Sequence, residues 1–131
     1  TANAQALFYV IEIPNRLGMT LAHSSTKVAD GGYSAMSTIT SNPLSAAATT
    51  GRLCLALAAG SCAPGSGYTP AYYADVVNWT KMGASKYTPD PNNLYATGAM
   101  YWRNNFTGTT ITVPGLGPGT LEAGVILTEW N

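Results

Sequence analysis

The sequence predicts an α+β domain, and three observations carry that prediction. Residues 70–82 bear a helix start and a helix stop, the last third alternates apolar and polar residues around a proline-glycine turn, and 131 residues suit one domain with one modest core. The alternative is an all-β sandwich. No internal repeat, charge block or long linker divides the chain, so residues 1–131 read as a single unit.

The amino-terminal segment supports two readings. Leu7, Tyr9, Ile11 and Ile13 alternate as in a strand, whereas Ala4, Leu7, Phe8, Ile11, Leu17 and Leu21 fit a helical stripe, and Pro14 would kink a helix or end a strand. Residues 30–48 are rich in Gly, Ser, Thr and Ala, with a turn at Asp30-Gly31-Gly32 and a break at Asn42-Pro43, and are expected to be largely irregular. Residues 52–58 set Leu53, Leu55 and Leu57 against Cys54, Ala56 and Ala58, which suits a strand buried by its leucine face; the alanines around it would also allow a short helix.

Thr69-Pro70 resembles an N-cap followed by proline at the first helical position, and Gly83 after Met82 resembles a stop. The expected helix over 70–82 would bury Tyr73, Val76, Val77 and Thr80, with Asp75 near the positive end of its dipole. Strands are expected over 94–103, 109–113 and 120–130, with residues 114–119 turning between the last two in an antiparallel sheet.

Charge is balanced, six Lys and Arg against six Asp and Glu, which leaves no electrostatic basis for binding nucleic acid or an anionic membrane. It is also scarce, 9% against the roughly 25% of an ordinary soluble domain. A surface built from Thr, Ser, Asn, Gly and Tyr does not repel a neighbouring copy, so self-association is favoured over a free monomer. The longest apolar runs, residues 6–11 and 53–59, fall far below the ~18 residues of a membrane span. Thr1 stands where an initiator Met and a basic leader would be, which suggests that an upstream signal or anchor has been removed by processing.

Cys54 and Cys62 enclose a short loop in which Gly60 and Ser61 could turn the chain, and a disulfide in an oxidising compartment is the expectation; two free buried thiols are the alternative. A metal site is not expected, because the spacing is not that of a CxxC knuckle and His23 is the single histidine. The six acids, Glu12, Asp30, Asp75, Asp90, Glu122 and Glu129, are scattered in sequence. His23 lies beside Ser24 and Ser25, too close along the chain for an ordinary nucleophile and base pair, and no GxSxG elbow is present. Residues 115–119 lack the lysine of a phosphate-binding loop. Neither an enzyme nor a bound cofactor is therefore expected.

Tyr68, Tyr72, Tyr73, Trp79, Tyr101 and Trp102 could form an interface or a stacking platform for sugars, although core packing would explain the same residues. Asn78-Trp79-Thr80 and Asn105-Phe106-Thr107 match the N-glycosylation pattern.

Ile11-Glu12-Ile13-Pro14-Asn15-Arg16-Leu17 resembles the stretch after the membrane-anchoring helix of PilV-type minor pilins. Gly60-Ser61-Cys62, then Tyr68-Thr69-Pro70-Ala71-Tyr72-Tyr73-Ala74-Asp75, then Asn78-Trp79, is similar to the cysteine, Thr-Pro and Trp segment of those proteins, and Thr128 with Trp130 fits their closing strand. The resemblance covers about a third of the chain. It implies a pilin-like α+β fold in which residues 1–25 are the truncated remainder of a long amino-terminal helix, packed on the antiparallel sheet of a head formed by residues 26–131. It also implies a non-enzymatic subunit of a type IV pilus or secretion pseudopilus, located in the periplasm or a cell-surface filament. Its partners would be other pilin subunits, with no membrane contact of its own beyond an anchoring helix in the precursor. Pro14 and Gly18 depart from the helical pattern of that family. A secreted carbohydrate-binding domain and a virus-surface projection domain are the alternatives from other classes.

Overall fold

A computed structural model describes residues 18–30, 37–62, 74–87, 95–114 and 120–131, and every regular element among them is a strand. The chain order is β1 (Leu21–Asp30), β2 (Thr38–Thr40), β3 (Leu53–Cys62), β4 (Thr80–Tyr87), β5 (Tyr95–Arg103), β6 (Thr112–Pro114) and β7 (Thr120–Trp130). Five strands form one antiparallel sheet in the order β1-β7-β3-β5-β4, and β2 pairs with β6 in a second, two-stranded ribbon.

The sequence suits these positions. β3 and β7 occupy the middle of the sheet, and their Leu, Ala, Val and Ile side chains suit strands with neighbours on both sides. β1 lies at an edge and carries Ser24, Thr26 and Lys27 exposed to solvent, side chains that discourage further pairing. Reciprocal bonds between Thr20 and Asn131, 3.0 and 2.8 Å, extend the β1–β7 ladder past its last paired residues.

The core lies on one face of the large sheet. Cys54, Ala56 and Ala58 of β3, Ala99 and Tyr101 of β5, and Ala123, Val125 and Leu127 of β7 meet Ile39 and Val113 of the ribbon, with Leu44, Ala48, Phe106 and Ile111 from the loops beside it. Small side chains on β3 leave room for the bulky ribbon residues to approach. Tyr101 is fully buried, and its hydroxyl donates to the Ala74 carbonyl at 2.9 Å. Trp79 and Phe106 pack with ring centroids 5.1 Å apart and planes tilted by 57°.

Several expectations are overturned. The α+β pilin-like fold gives way to two antiparallel sheets with no helix among the described residues, and the all-β alternative fits. The helix expected to run to residue 25 fails at its carboxyl end, where residues 21–25 belong to β1; the rest of that segment, 1–17, lies outside the described residues. In place of the 70–82 helix, residues 74–79 form a turn and Thr80 opens β4. Val77, expected on a buried stripe, is 82% exposed, and Asp75 pairs with Lys81 at 2.8 Å instead of a helix dipole. Asn78 takes a left-handed φ of 64°, which asparagine tolerates, and the Trp79 amide closes the turn on the Val76 carbonyl at 3.0 Å.

The strand over 52–58 exists and is covered on both faces: Leu55 is buried as expected and Leu53 and Leu57 are half-buried, but the main core cluster lies on the Cys and Ala side. Cys54, Ala56 and Ala58 face the core, while Leu53, Leu55 and Leu57 lie on the opposite face. β6 and β7 do not form the expected hairpin, because β6 pairs with β2 and β7 pairs with β1 and β3.

The Cys54–Cys62 disulfide is also overturned. Both residues lie on β3, and eight steps of extended chain separate their Cα atoms by about 26 Å, far beyond the ~7 Å that a bridge spans. Cys54 is a free, buried thiol. The case for an oxidising compartment therefore loses its cysteine support.

Candidate functional site

Two features of the sheet are open to function: a polar cluster at the end where β1 begins and β7 finishes, and the face opposite the core. The cluster centres on Glu129. In β7 the alternation Ala123, Val125, Leu127, Glu129 puts this carboxylate on the core face, where it is fully buried opposite Cys54 of β3 and His23 of β1. An isolated charge there would be costly, and the loop between β2 and β3 answers it.

Residues 49–52 make a tight turn in which the Arg52 amide bonds to the Thr49 carbonyl at 3.2 Å and Gly51 adopts a φ of 89°, a backbone that side chains resist. The turn aims the Thr49 amide at Glu129 Oε1, 2.8 Å away, and Arg52 Nη1 donates to the same oxygen at 3.4 Å. Glu129 Oε2 has no hydrogen-bond partner among the described residues, and His23 Nε2 stands 3.7 Å from it. On the other side of the ring, His23 Nδ1 lies 2.8 Å from Ser45 Oγ.

The carboxylate selects the imidazole tautomer. A proton on Nε2 faces the negative oxygen, whereas a lone pair there would be repelled by it. Nδ1 is then the acceptor, and the Ser45 hydroxyl donates to it. The chain Ser45, His23, Glu129 runs from an exposed hydroxyl through a half-buried ring to a buried carboxylate.

Cys54 is not part of this chemistry. Burial, then the negative charge of Glu129, push its thiol from 9.0 up to about 11, with Arg103 opposing them, so it stays protonated and a poor nucleophile. Among the described residues no group of histidines, cysteines and acids could hold a metal ion.

The face opposite the core mixes apolar and hydroxyl side chains: Leu55 is buried, Leu53, Leu57, Met100, Trp102 and Trp130 are half-buried, and Ser24, Thr26 and Thr128 lie among them. Leu53, Leu55 and Leu57 of β3 lie beside Met100 and Trp102 of β5 and beside Ile126 and Trp130 of β7, with Leu21 and Val28 of β1 beyond them. Val28 is 73% exposed and Leu21 50%, while Ile126 near the middle is 41% exposed. Trp130 Nε1 donates to Thr128 Oγ1 at 3.0 Å, and Thr128 Oγ1 donates to the Leu55 carbonyl at 3.3 Å, which ties the indole to the sheet.

The aromatic residues singled out in the sequence divide accordingly. Tyr101 and Trp79 are core side chains and are withdrawn from any stacking platform, while Trp102 lies half-buried on the open face. Tyr68, Tyr72 and Tyr73 lie outside the described residues, as do the side chain of Cys62 and the turn at residues 115–119. Asn78 and Asn105, the two sequon asparagines, are both exposed.

Sequence reasoning missed Ser45 and the pairing of His23 with Glu129, because it tested His23 against its chain neighbours while its partner hydroxyl sits 22 positions away. One signal was present: an acid at the next apolar position of the β7 alternation. Comparison with protein-family models, with curated proteins and with solved structures gives no match.

Proposed function

We propose that this protein is a structural subunit of a homomeric assembly, and that the open face of its large sheet docks on a second copy. The observation that carries the reading is that face itself, where Ile126 near the middle and Leu21 and Val28 along β1 are exposed beside the half-buried Leu53, Leu57 and Trp130. Five strands spaced ~4.8 Å apart and about nine residues long give a surface of roughly 20 by 30 Å, close to what each partner of a stable dimer contributes. A chain with no net charge and 9% charged residues offers little repulsion to a second copy. Three exposed apolar side chains, Leu21, Val28 and Ile126, share the face, and docking would take them out of water.

Sedimentation velocity on the full chain across a concentration series tests the reading. The wild type should associate reversibly, and Ile126→Lys, which puts a charge at the centre of the face, should sediment as a monomer with an unchanged circular dichroism spectrum. A wild type that stays monomeric overturns the proposal.

A further inference from the structure

We propose that Ser45 is a nucleophile, deprotonated by His23 and supported by Glu129, that takes the acyl group from a short activated carboxylic ester and passes it to water. The inference rests on the polar cluster and is independent of the open sheet face.

Three features of the geometry support it. The hydroxyl, imidazole and carboxylate stand in the order that nucleophilic acyl transfer requires, at 2.8 Å and 3.7 Å. Here the serine meets Nδ1 and the carboxylate meets Nε2, the reverse of the commoner arrangement, and either ring nitrogen can accept the proton. Glu129 Oε1 is fixed by the Thr49 amide and Arg52, which leaves Oε2, buried and unpartnered among the described residues, to face the ring. Oε2 stands 3.7 Å from Nε2, so an imidazolium formed at His23 during the reaction would have that oxygen as its counter-ion.

The loop presents the serine to solvent on fixed supports. On one side the Leu44 amide bonds to the Thr109 carbonyl at 2.8 Å, and on the other the Ala48 amide bonds to the Gly108 carbonyl at 3.0 Å. Between them Ser45, Ala46 and Ala47 are exposed, and the amides of Ala46 and Ala47 donate to no backbone carbonyl among the described residues. Those two N–H groups are the candidate donors for an oxyanion. Asn42 and Pro43 are exposed as well, so the described loop offers no wall to hold a long acyl chain. Reactivity must come from the ester, hence a short acyl group on a good leaving alcohol.

The steps balance without an added reactant. Ser45 Oγ attacks the carbonyl carbon while its proton passes to His23 Nδ1, and the carbonyl electron pair moves to oxygen. Collapse re-forms the carbonyl and breaks the bond to the leaving oxygen, which takes the proton from His23 and departs as the alcohol. Water then attacks the Ser45 ester with His23 taking its proton, and Ser45 Oγ leaves with that proton as the carboxylic acid is released.

The full chain is incubated with p-nitrophenyl acetate to read turnover and with a fluorophosphonate probe to read the nucleophile, followed by peptide mapping. Label is expected on Ser45 alone. Since Ser45 is exposed, Ser45→Ala keeps the fold, and it should abolish both the label and the ester hydrolysis above background. His23→Gln should slow labelling by about 10²-fold or more. Glu129→Gln keeps an acceptor for the Thr49 amide but turns an N–H toward Nε2, which reverses the tautomer; at an unchanged circular dichroism spectrum it should slow labelling as much. Label on another residue, or equal turnover by Ser45→Ala, overturns the proposal. A Glu129→Gln protein with the wild-type rate and pH profile removes Glu129 from it.

Discussion

Glu129 stands where the alternation of β7 calls for an apolar side chain, and its neighbours register the consequence. Its charge adds to burial in raising the Cys54 thiol to about 11. In the unfolded chain that thiol ionises near its ordinary value of 9.0, so below that pH both states hold the proton and stability is unaffected. Between pH 9 and 11 the unfolded state has released a proton that the folded state still binds, and stability falls as pH rises. The expected loss across that window is roughly 2 kcal/mol, visible as a lower urea midpoint at pH 11 than at pH 8. Cys54→Ala should not show the thiol's share of it, and an equal loss in that variant would assign the effect to other groups. Neither role of these residues was evident from spacing alone, because Cys54, His23 and Glu129 come together through strand register, which the sequence does not encode locally.

At the scale of elements, the turn at residues 49–52 links the backbone to the cluster. Gly51 is there for its positive φ, and a Cβ at that position would meet nothing within 4 Å, so the cost of a side chain is conformational and not steric. Gly51→Ala should therefore destabilise by about 1–2 kcal/mol, a melting point lower by roughly 3–8 °C, and calorimetry checks it. A melting point unchanged by the substitution would mean that the turn relaxes freely. The strands themselves were partly legible. The expected strand over 120–130 coincides with β7, and 94–103 nearly so with β5, because uninterrupted alternation ending at clear turns fits one period. The helix expected over 70–82 failed for a tertiary reason. Proline and glycine signals at its ends were local, whereas Lys81 pairs with Tyr101 and Gly83 with Met100 across a bulge at Met82, contacts that override local preference. The side of β3 that meets the main core has a similar origin. The larger leucines suggest the inward side, but the space under the β2–β6 ribbon is filled from the Cys and Ala side, and the leucines lie on the opposite face with Leu55 buried there.

For the whole molecule, the all-β arrangement explains why composition misled less than pattern. Scarce charge is the basis for expecting self-association, and the face proposed for it carries the exposed Leu21, Val28 and Ile126. Only β4 and β5 are both consecutive in the chain and adjacent in the large sheet; its other neighbours are separated by intervening elements. Such wiring makes folding slow. Refolding followed by tryptophan fluorescence should take milliseconds to seconds rather than microseconds, and a sub-millisecond phase carrying the full amplitude would contradict the topology.

β7 is the last of the described strands and yet lies between β1 and β3. On a ribosome the segments that become β1 and β3 emerge early and have no shared partner until β7 follows them out. Until then β1 and the β3 side of the sheet cannot be joined, and the leucines and tryptophans of the open face are exposed to any other nascent copy nearby. The order in which the strands emerge thus makes the interval before β7 appears the time of greatest risk of mispairing, and gives β7 control over when the sheet becomes whole.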